Sequence, residues 1–155
     1  MNDDYIDLAA AAATLAAIVN QYDTEEASAT TVKMLIMDGG TWDTLVAGGT
    51  TASVSGVVAT FTQFLAKVAS DGTVEHIIHY LPPELPSIAG VAALRPLLRQ
   101  ACAQSSVPCH FLDLQPLWAG HPEYTATDGI QASTAGATVI ADAIWEIMQE
   151  NCIAQ

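Results

Sequence analysis

Basic residues are scarce in this chain. Lys33, Lys67, Arg95 and Arg99 are its only lysines and arginines, against 17 aspartates and glutamates, and the formal net charge is −13. Such a surface repels phosphate backbones and anionic lipid headgroups. The composition therefore argues against nucleic acid and against a membrane surface as partners, and its simplest consequence is solubility.

Long apolar runs are also missing. No uninterrupted apolar stretch approaches the roughly 20 residues that span a bilayer. The alanine-rich stretch Leu8–Val19 is short and weakly hydrophobic, and acidic residues (Asp3, Asp4 and Asp7) precede it. A signal peptide would instead begin with basic residues. We expect neither a membrane span nor a signal peptide within these residues.

Cysteines are few and odd in number. Cys102 and Cys109 flank a short connection whose ends can close into a disulfide, and Cys152 is then left over or pairs with Cys109 instead. One bridge plus one free thiol favours an extracellular or periplasmic location, whereas three small buried cysteines in a cytosolic protein are the alternative. No Cys-x-x-Cys pair is present, so we expect no zinc site, no other metal and no cofactor.

The composition that remains is that of a folded protein. Of the residues, 51% are hydrophobic and 14% are charged, which argues against disorder and indicates one domain over residues 1–155. Short β-rich runs alternate with longer helical runs, which predicts an α/β fold, a three-layer sandwich around a mainly parallel sheet of about four strands. The predicted strands are Asp4–Leu8, Val32–Met37, Glu75–Leu81 and Cys109–Leu114, and the predicted helices are Ala9–Tyr22, Ser55–Ala69, Ile88–Gln104 and a last helix that Ser133 caps and that ends near Glu150.

Polar residues follow the predicted strands at their carboxyl ends, where sites form in parallel sheets. Asp38 ends one predicted strand, and the loop that holds Asp128 returns to the same edge of the sheet. This arrangement predicts that Trp42, Asp43, Asp128 and Gln131 surround one pocket.

The segment Tyr124–Ala137 (YTATDGIQASTAGA) resembles the last sequence block of the SGNH (GDSL) hydrolases, Asp-Gly-Ile-His-Pro followed by a helix. Asp128, Gly129 and Ile130 fit that block, but Gln131 stands where the catalytic histidine belongs. A glutamine amide has no titratable base and cannot take a proton from a serine. The family's aspartate orients the histidine, so Asp128 is expected to brace the turn into the last helix instead.

Two further segments are similar to blocks of the same family. Residues 40–43 (GTWD) resemble Gly-x-Asn-Asp, whose asparagine donates to the oxyanion; Trp42 takes the asparagine position and Asp43 is retained. Residues 8–14 (LAAAAAT) resemble Leu-Ala-x-x-Gly-Ala, whose glycine amide faces the oxyanion, and Ala12 takes that glycine's place. The family's first block, Gly-Asp-Ser with the nucleophilic serine, is not found in these residues.

The resemblance covers the chain from about Tyr5 onward and implies a truncated SGNH-hydrolase-like, flavodoxin-like fold. A serine nucleophile needs a base, and each oxyanion donor lowers the barrier by roughly 3–4 kcal/mol. Because nucleophile, donors and base are all absent or changed, we expect a binding or scaffold domain that has lost serine-esterase activity. The candidate catalytic residues are Asp43 and Asp128, and the candidate residues for a small polar or aromatic ligand are Gly40, Trp42, Gln131 and Ala12.

The alternative is an active hydrolase on the same frame. It would be a carboxyl-ester hydrolase completed by a missing segment, or it would run a different chemistry with Asp43, Asp128 and Trp42. His121 is the only histidine near the Asp128 edge by sequence, and it is the candidate for a displaced base.

The other histidines and the sheet edge carry two more expectations. His76 and His79 are three apart in a predicted strand, so they point to opposite faces and cannot easily share a metal. Both are expected to be half-buried or at the surface.

The family's first strand is central, and its absence would expose apolar strand edges that pair readily with another chain. We expect either a sheet with Asp4–Leu8 beside Val32–Met37 or a homo-oligomer that covers the gap.

Overall fold

The computed structural model describes residues 7, 9–10, 12–26, 33–84 and 90–153. Within those ranges helices and strands alternate, as the sequence predicted. In chain order the elements are α1 (Leu15–Glu26), β1 (Met34–Asp38), α2 (Thr41–Val46), α3 (Thr51–Asp71), β2 (His76–Leu81), α4 (Val91–Ala103), β3 (Cys109–Asp113), α5 (Gln115–Trp118), a 3-10 turn (Pro122–Tyr124) and α6 (Thr134–Glu150).

The three strands form one parallel sheet in the order β1-β2-β3. Ile36 pairs with Ile78, and Ile78 pairs with His110. The α/β class and the parallel sheet are therefore confirmed. Among the described residues the sheet has three strands, and the predicted strand Asp4–Leu8 lies outside those residues except for Asp7, which belongs to no strand.

Helix α3 forms the centre of the core. The side chain of Thr50 accepts the N–H of Ser53 and caps the helix. Phe61 and Phe64 are buried on the side that faces the sheet and α1, and Tyr22 of α1 meets Phe64 edge-on with ring centroids 5.3 Å apart. Burial of one such side chain contributes about 1.5–3 kcal/mol, so this cluster fixes the position of α3 against the sheet.

Helix α4 packs on α3 and is linked to both ends of β3. The disulfide between Cys102 and Cys109 joins the last turn of α4 to the first residue of β3. At the other end of β3, the carboxylate of Asp113 pairs with Arg95 and Arg99. The Cys102–Cys109 pairing is one of the two that the sequence allowed, and Cys152 is an exposed free thiol.

The first helix differs most from its prediction. It begins at Leu15 rather than Ala9 and continues to Glu26, whereas the predicted helix ended at Tyr22. A carboxylate from a distant part of the chain binds its first N–H group: Asp43 Oδ2 accepts from Leu15 at 2.8 Å. Helix α2, which contains Asp43, was not predicted at all.

The later elements agree closely with the sequence. Strands β2 and β3 lie within one residue of their predicted bounds. The last helix begins after Ser133, whose Oγ accepts the N–H of Gly136 at 3.2 Å, and it ends at Glu150. In the described part of the chain, none of the helices combines the length and the hydropathy that a bilayer span requires.

Candidate functional site

Asp128 organises the turn that leads into α6. Its Oδ1 accepts the backbone N–H groups of Ile130 and Gln131, each at 2.9 Å. These two hydrogen bonds hold the pKa of the Asp128 carboxyl below its usual value, because they favour its charged form. Gly129 has a φ of 71°, which allows the tight turn. The Asp128 carboxylate thus has a structural role, because it binds the backbone N–H groups of the turn.

Gln131, which follows Asp128 by three residues, is an exposed residue. Its carbonyl accepts the N–H of Ala126 at 2.8 Å, and Thr125 pairs with Ala132 as an isolated antiparallel bridge. Among the hydrogen bonds of the described residues, none involves the Gln131 side-chain amide. That amide is therefore open to solvent or to a ligand.

Gly40 allows the start of α2 to pack closely against the core. Its φ is 100°, and a Cβ at this position would lie 2.8 Å from Leu94 Cδ2 and 2.9 Å from Val57 Cγ1. A side chain is excluded both by the backbone conformation and by these two contacts. Trp42 and Asp43, both half-buried, lie in the first turn of α2, and Asp43 contacts the start of α1.

Asp43 connects α2 to the start of α1. Its Oδ2 accepts the N–H of Leu15, and Thr14 Oγ1 accepts the N–H of Ala17 at 3.3 Å. A carboxylate at a helix N-terminus is favourable because it satisfies a free N–H and meets the positive end of the helix dipole. Ala12 lies just before this helix with a φ of 62° and is exposed.

The predicted site residues therefore fall into two groups. Asp43 lies at the start of α1, with Trp42 and Gly40 close to it in the chain and Ala12 just before that helix, whereas Asp128 and Gln131 belong to the turn before α6. In the described ranges, no hydrogen bond or ion pair joins the two groups. A cavity of about 400 Å³ lies elsewhere, along the outer side of α4, and is lined by Arg95, Pro96, Arg99, Gln100, Ala103 and Asp113.

His79 is fully buried, so the expectation of a half-buried or surface histidine is wrong for it; His76 is half-buried as expected. The His79 ring lies 4.5 Å from that of Phe61 and 5.7 Å from that of Phe111. Burial lowers the pKa of His79 to about 4. The backbone of Gly39 is close enough to oppose that shift, yet neither ring nitrogen has a partner in hydrogen-bond geometry. His79 is neutral at pH 7.

His121 belongs to an exposed pair that the sequence did not reveal. Its Nδ1 lies 2.9 Å from Glu123 Oε1, and its ring stacks on that of Tyr124 with centroids 4.6 Å apart. The hydrogen bond with His121 holds the pKa of Glu123 below its usual value. A carboxylate on one ring nitrogen orients an imidazole and leaves the other nitrogen able to accept a proton. The only signal in the sequence was the spacing of two residues in a loop.

A pair of serine and histidine is not formed in the part of the chain that the structure describes, since no imidazole nitrogen there bonds a hydroxyl. The Ser133 hydroxyl, the one nearest to Gln131 in the sequence, donates to the carbonyl of Glu123 at 2.6 Å. In the same residues no group of three or more histidine, cysteine, aspartate or glutamate side chains is placed to hold a metal ion.

Comparison with known proteins adds no family to this description. No protein-family model matches the chain, and no curated protein is similar to it.

Proposed function

We propose that this chain is an SGNH-hydrolase-like domain that has lost serine-esterase activity and acts as a binding or scaffold domain. One observation carries the proposal: the carboxylate of Asp128 accepts two backbone N–H groups, and one of them belongs to the glutamine that stands at the base position. The turn keeps its shape without a histidine. In the proposed domain, these hydrogen bonds give Asp128 a structural role that does not require a catalytic histidine.

The start of α1 gives independent support for the resemblance. Ala12 has a left-handed backbone with a φ of 62°, a conformation that glycine adopts readily and alanine rarely. The related block of the SGNH family has glycine at this position. An alanine in a left-handed conformation is consistent with a glycine that was replaced after the turn had been established.

The ligand that we propose for the domain is small and polar or aromatic. Trp42 offers an indole N–H and a flat apolar face, and Gln131 offers an amide with no partner among the described residues. Gly40 is the N-cap of α2, two residues before Trp42, and Ala12 lies just before α1; in this proposal both contribute backbone to the ligand site. Asp43 accepts the N–H of Leu15, so in this proposal it holds α2 at the start of α1.

The pair of His121 and Glu123 favours a second candidate function, an active hydrolase. In this version His121 is a displaced base that Glu123 orients, and the nucleophile is water or a hydroxyl from a segment outside these residues. Asp43, Asp128 and Trp42 then position the substrate. The 2.9 Å contact between His121 and Glu123 is the observation that supports it.

Hydrolysis of a short p-nitrophenyl ester distinguishes the two functions. We expect the unmodified chain to show no turnover above that of buffer, and Gln131→His to show no gain, because neither supplies a nucleophile with a base. Activity that a serine-directed phosphonate abolishes would contradict the proposal. Activity that resists the phosphonate and falls in His121→Asn would support the second function, and Glu123→Gln is its matched variant.

We also propose a homo-oligomer that covers the exposed part of the sheet. In the described part of the chain β1 has a neighbour strand on one side only, and Ile36 on this strand is 37% exposed. An apolar strand edge pairs readily with a second copy. Light scattering after size exclusion should give the mass of a dimer or larger, and Ile36→Lys should give that of a monomer; a monomer in both would contradict this proposal.

The disulfide supports an extracellular or periplasmic location as a further proposal. Disulfides such as the one between Cys102 and Cys109 persist in oxidising compartments and are rare in the cytosol of mesophiles. Fractionation of cells that produce the native protein would test this location. Recovery in the cytosol with both thiols reduced would contradict it.

A further inference from the structure

Two of the four histidines meet on the sheet face that points away from α3. Ile78 of β2 pairs with His110 of β3, and His76 lies two residues before Ile78, so His76 and His110 share a face. His79 points the other way, toward Phe61. The sequence argument about His76 and His79 therefore holds for that pair, but it left out His110.

The imidazole rings of His76 and His110 contact each other through one nitrogen of each ring. His76 Nδ1 lies 3.3 Å from His110 Nε2, and the ring planes are inclined by 25°. One ring donates and the other accepts, so the contact holds a single proton. Two nitrogens that bind a tetrahedral zinc ion at the usual 2.0–2.1 Å are about 3.3–3.4 Å apart. The nitrogens thus already have the separation of neighbouring zinc ligands, and rotation of both rings away from the line between them would direct their lone pairs toward a common ion.

We propose that His76 and His110 form a two-histidine binding site for a divalent transition ion of the zinc type. Imidazole nitrogen is a preferred ligand of such ions. The ion takes the place of the bridging proton, which moves to the outer nitrogen of the same ring; a ring that was doubly protonated releases one proton to solvent. Water completes the coordination.

The surroundings of the pair define how many ligands the protein supplies. Glu75 is paired with Lys33 at 2.5 Å, and Cys109 is in the disulfide, so the site that we propose uses the two imidazoles as its protein ligands. Both rings are half-buried, which leaves access for an ion and its waters. The net charge of −13 raises the local concentration of cations. The site lies at the amino-terminal ends of β2 and β3 and does not depend on the proposed function.

A zinc titration of the untagged chain by calorimetry tests the site. We expect one ion bound per chain, with an affinity that falls about tenfold or more in His76→Gln and in His110→Gln. His121→Gln is the matched control, since it removes an exposed histidine elsewhere, and it should bind as the unmodified chain does. Because the ion joins β2 to β3, zinc at about 100 times its Kd should raise Tm by about 5–10 °C.

Two results would overturn the site. One is the absence of both heat and a Tm shift at millimolar zinc; the other is equal binding by the unmodified chain and both variants. Thermal unfolding without metal shows whether each variant folds. If neither variant folds, electron paramagnetic resonance of the unmodified chain with Cu²⁺ replaces the titration of the variants. Coupling of the copper ion to two imidazole nitrogens supports the site, and coupling to one or none contradicts it.

Discussion

The core around α3 and the turn before α6 are stabilised in different ways. Around α3, Phe61, Val68 and Leu94 are completely buried, and apolar contact holds this helix against α4 and the sheet. Around Asp128, the residues are exposed or half-buried, and the shape rests on hydrogen bonds to backbone groups. The comparison teaches that the carboxylates of the candidate site, Asp43 and Asp128, bind backbone N–H groups, whereas a histidine, His79, is buried in the core.

The largest effect should come from the core. Phe61→Ala removes a completely buried ring and is expected to lower the free energy of unfolding by about 3–5 kcal/mol, because a cavity remains between α3 and the sheet. Urea denaturation measures this. The matched control is Thr62→Ala on the exposed side of α3, which should stay within about 0.5 kcal/mol of the unmodified chain. A loss below about 1 kcal/mol for Phe61→Ala would contradict this description of the core.

Next in size is the pH dependence that comes from His79. Its pKa is lowered to about 4 in the folded chain, from 6.5, so between these values the unfolded chain binds a proton that the folded chain does not. Stability therefore has its full value above pH 6.5 and falls by about 3 kcal/mol as the pH drops toward 4. Denaturant unfolding at several pH values should show this fall, and His79→Leu should lose it. An unchanged pH profile in His79→Leu would sink the prediction, and His121→Asn serves as the control.

A smaller effect is expected where Asp43 binds α1. Asp43→Ala leaves the N–H of Leu15 without its partner and should cost about 1 kcal/mol. Asp43→Asn keeps an oxygen acceptor and should cost less. Amide hydrogen exchange should localise the loss to the first turn of α1. Exchange that rises equally throughout the chain would argue against a local cap.

The smallest effect on global stability should come from Asp128. Asp128→Ala removes two hydrogen bonds in an exposed turn, so the amides of Ile130 and Gln131 should exchange faster while Tm changes little. The pKa of Asp128 is lowered, so its contribution is present above the ordinary pKa of 3.8 and is lost as the pH falls through the lower folded value. If those two amides exchange at the same rate in the variant, the bracing role is wrong.

Local signals in the sequence were sufficient for most elements. The apolar runs predicted β2 and β3, and the cap at Ser133 predicted the start of α6. The start of α1 was missed because its N–H partner, Asp43, lies 28 residues away. The burial of His79 and the contact between His76 and His110 were missed for a related reason: strand register and helix packing decide them, and neither follows from spacing within one strand.

The candidate site was predictable only as a set of residues. The block around Asp128 identified a turn followed by a helix, and the structure contains both. Whether Trp42 and Gln131 face one ligand depends on how α2 and the turn before α6 approach each other. That distance is set by packing between segments that are far apart in the sequence, so no motif determines it.

The central claim is that, among the residues that the structure describes, no hydroxyl is activated by a base. Intact mass spectrometry of the folded chain after incubation with a fluorophosphonate tests it directly. We predict that the mass stays that of the unmodified chain. A stoichiometric adduct on one serine or threonine, abolished when the chain is unfolded beforehand, would contradict the claim.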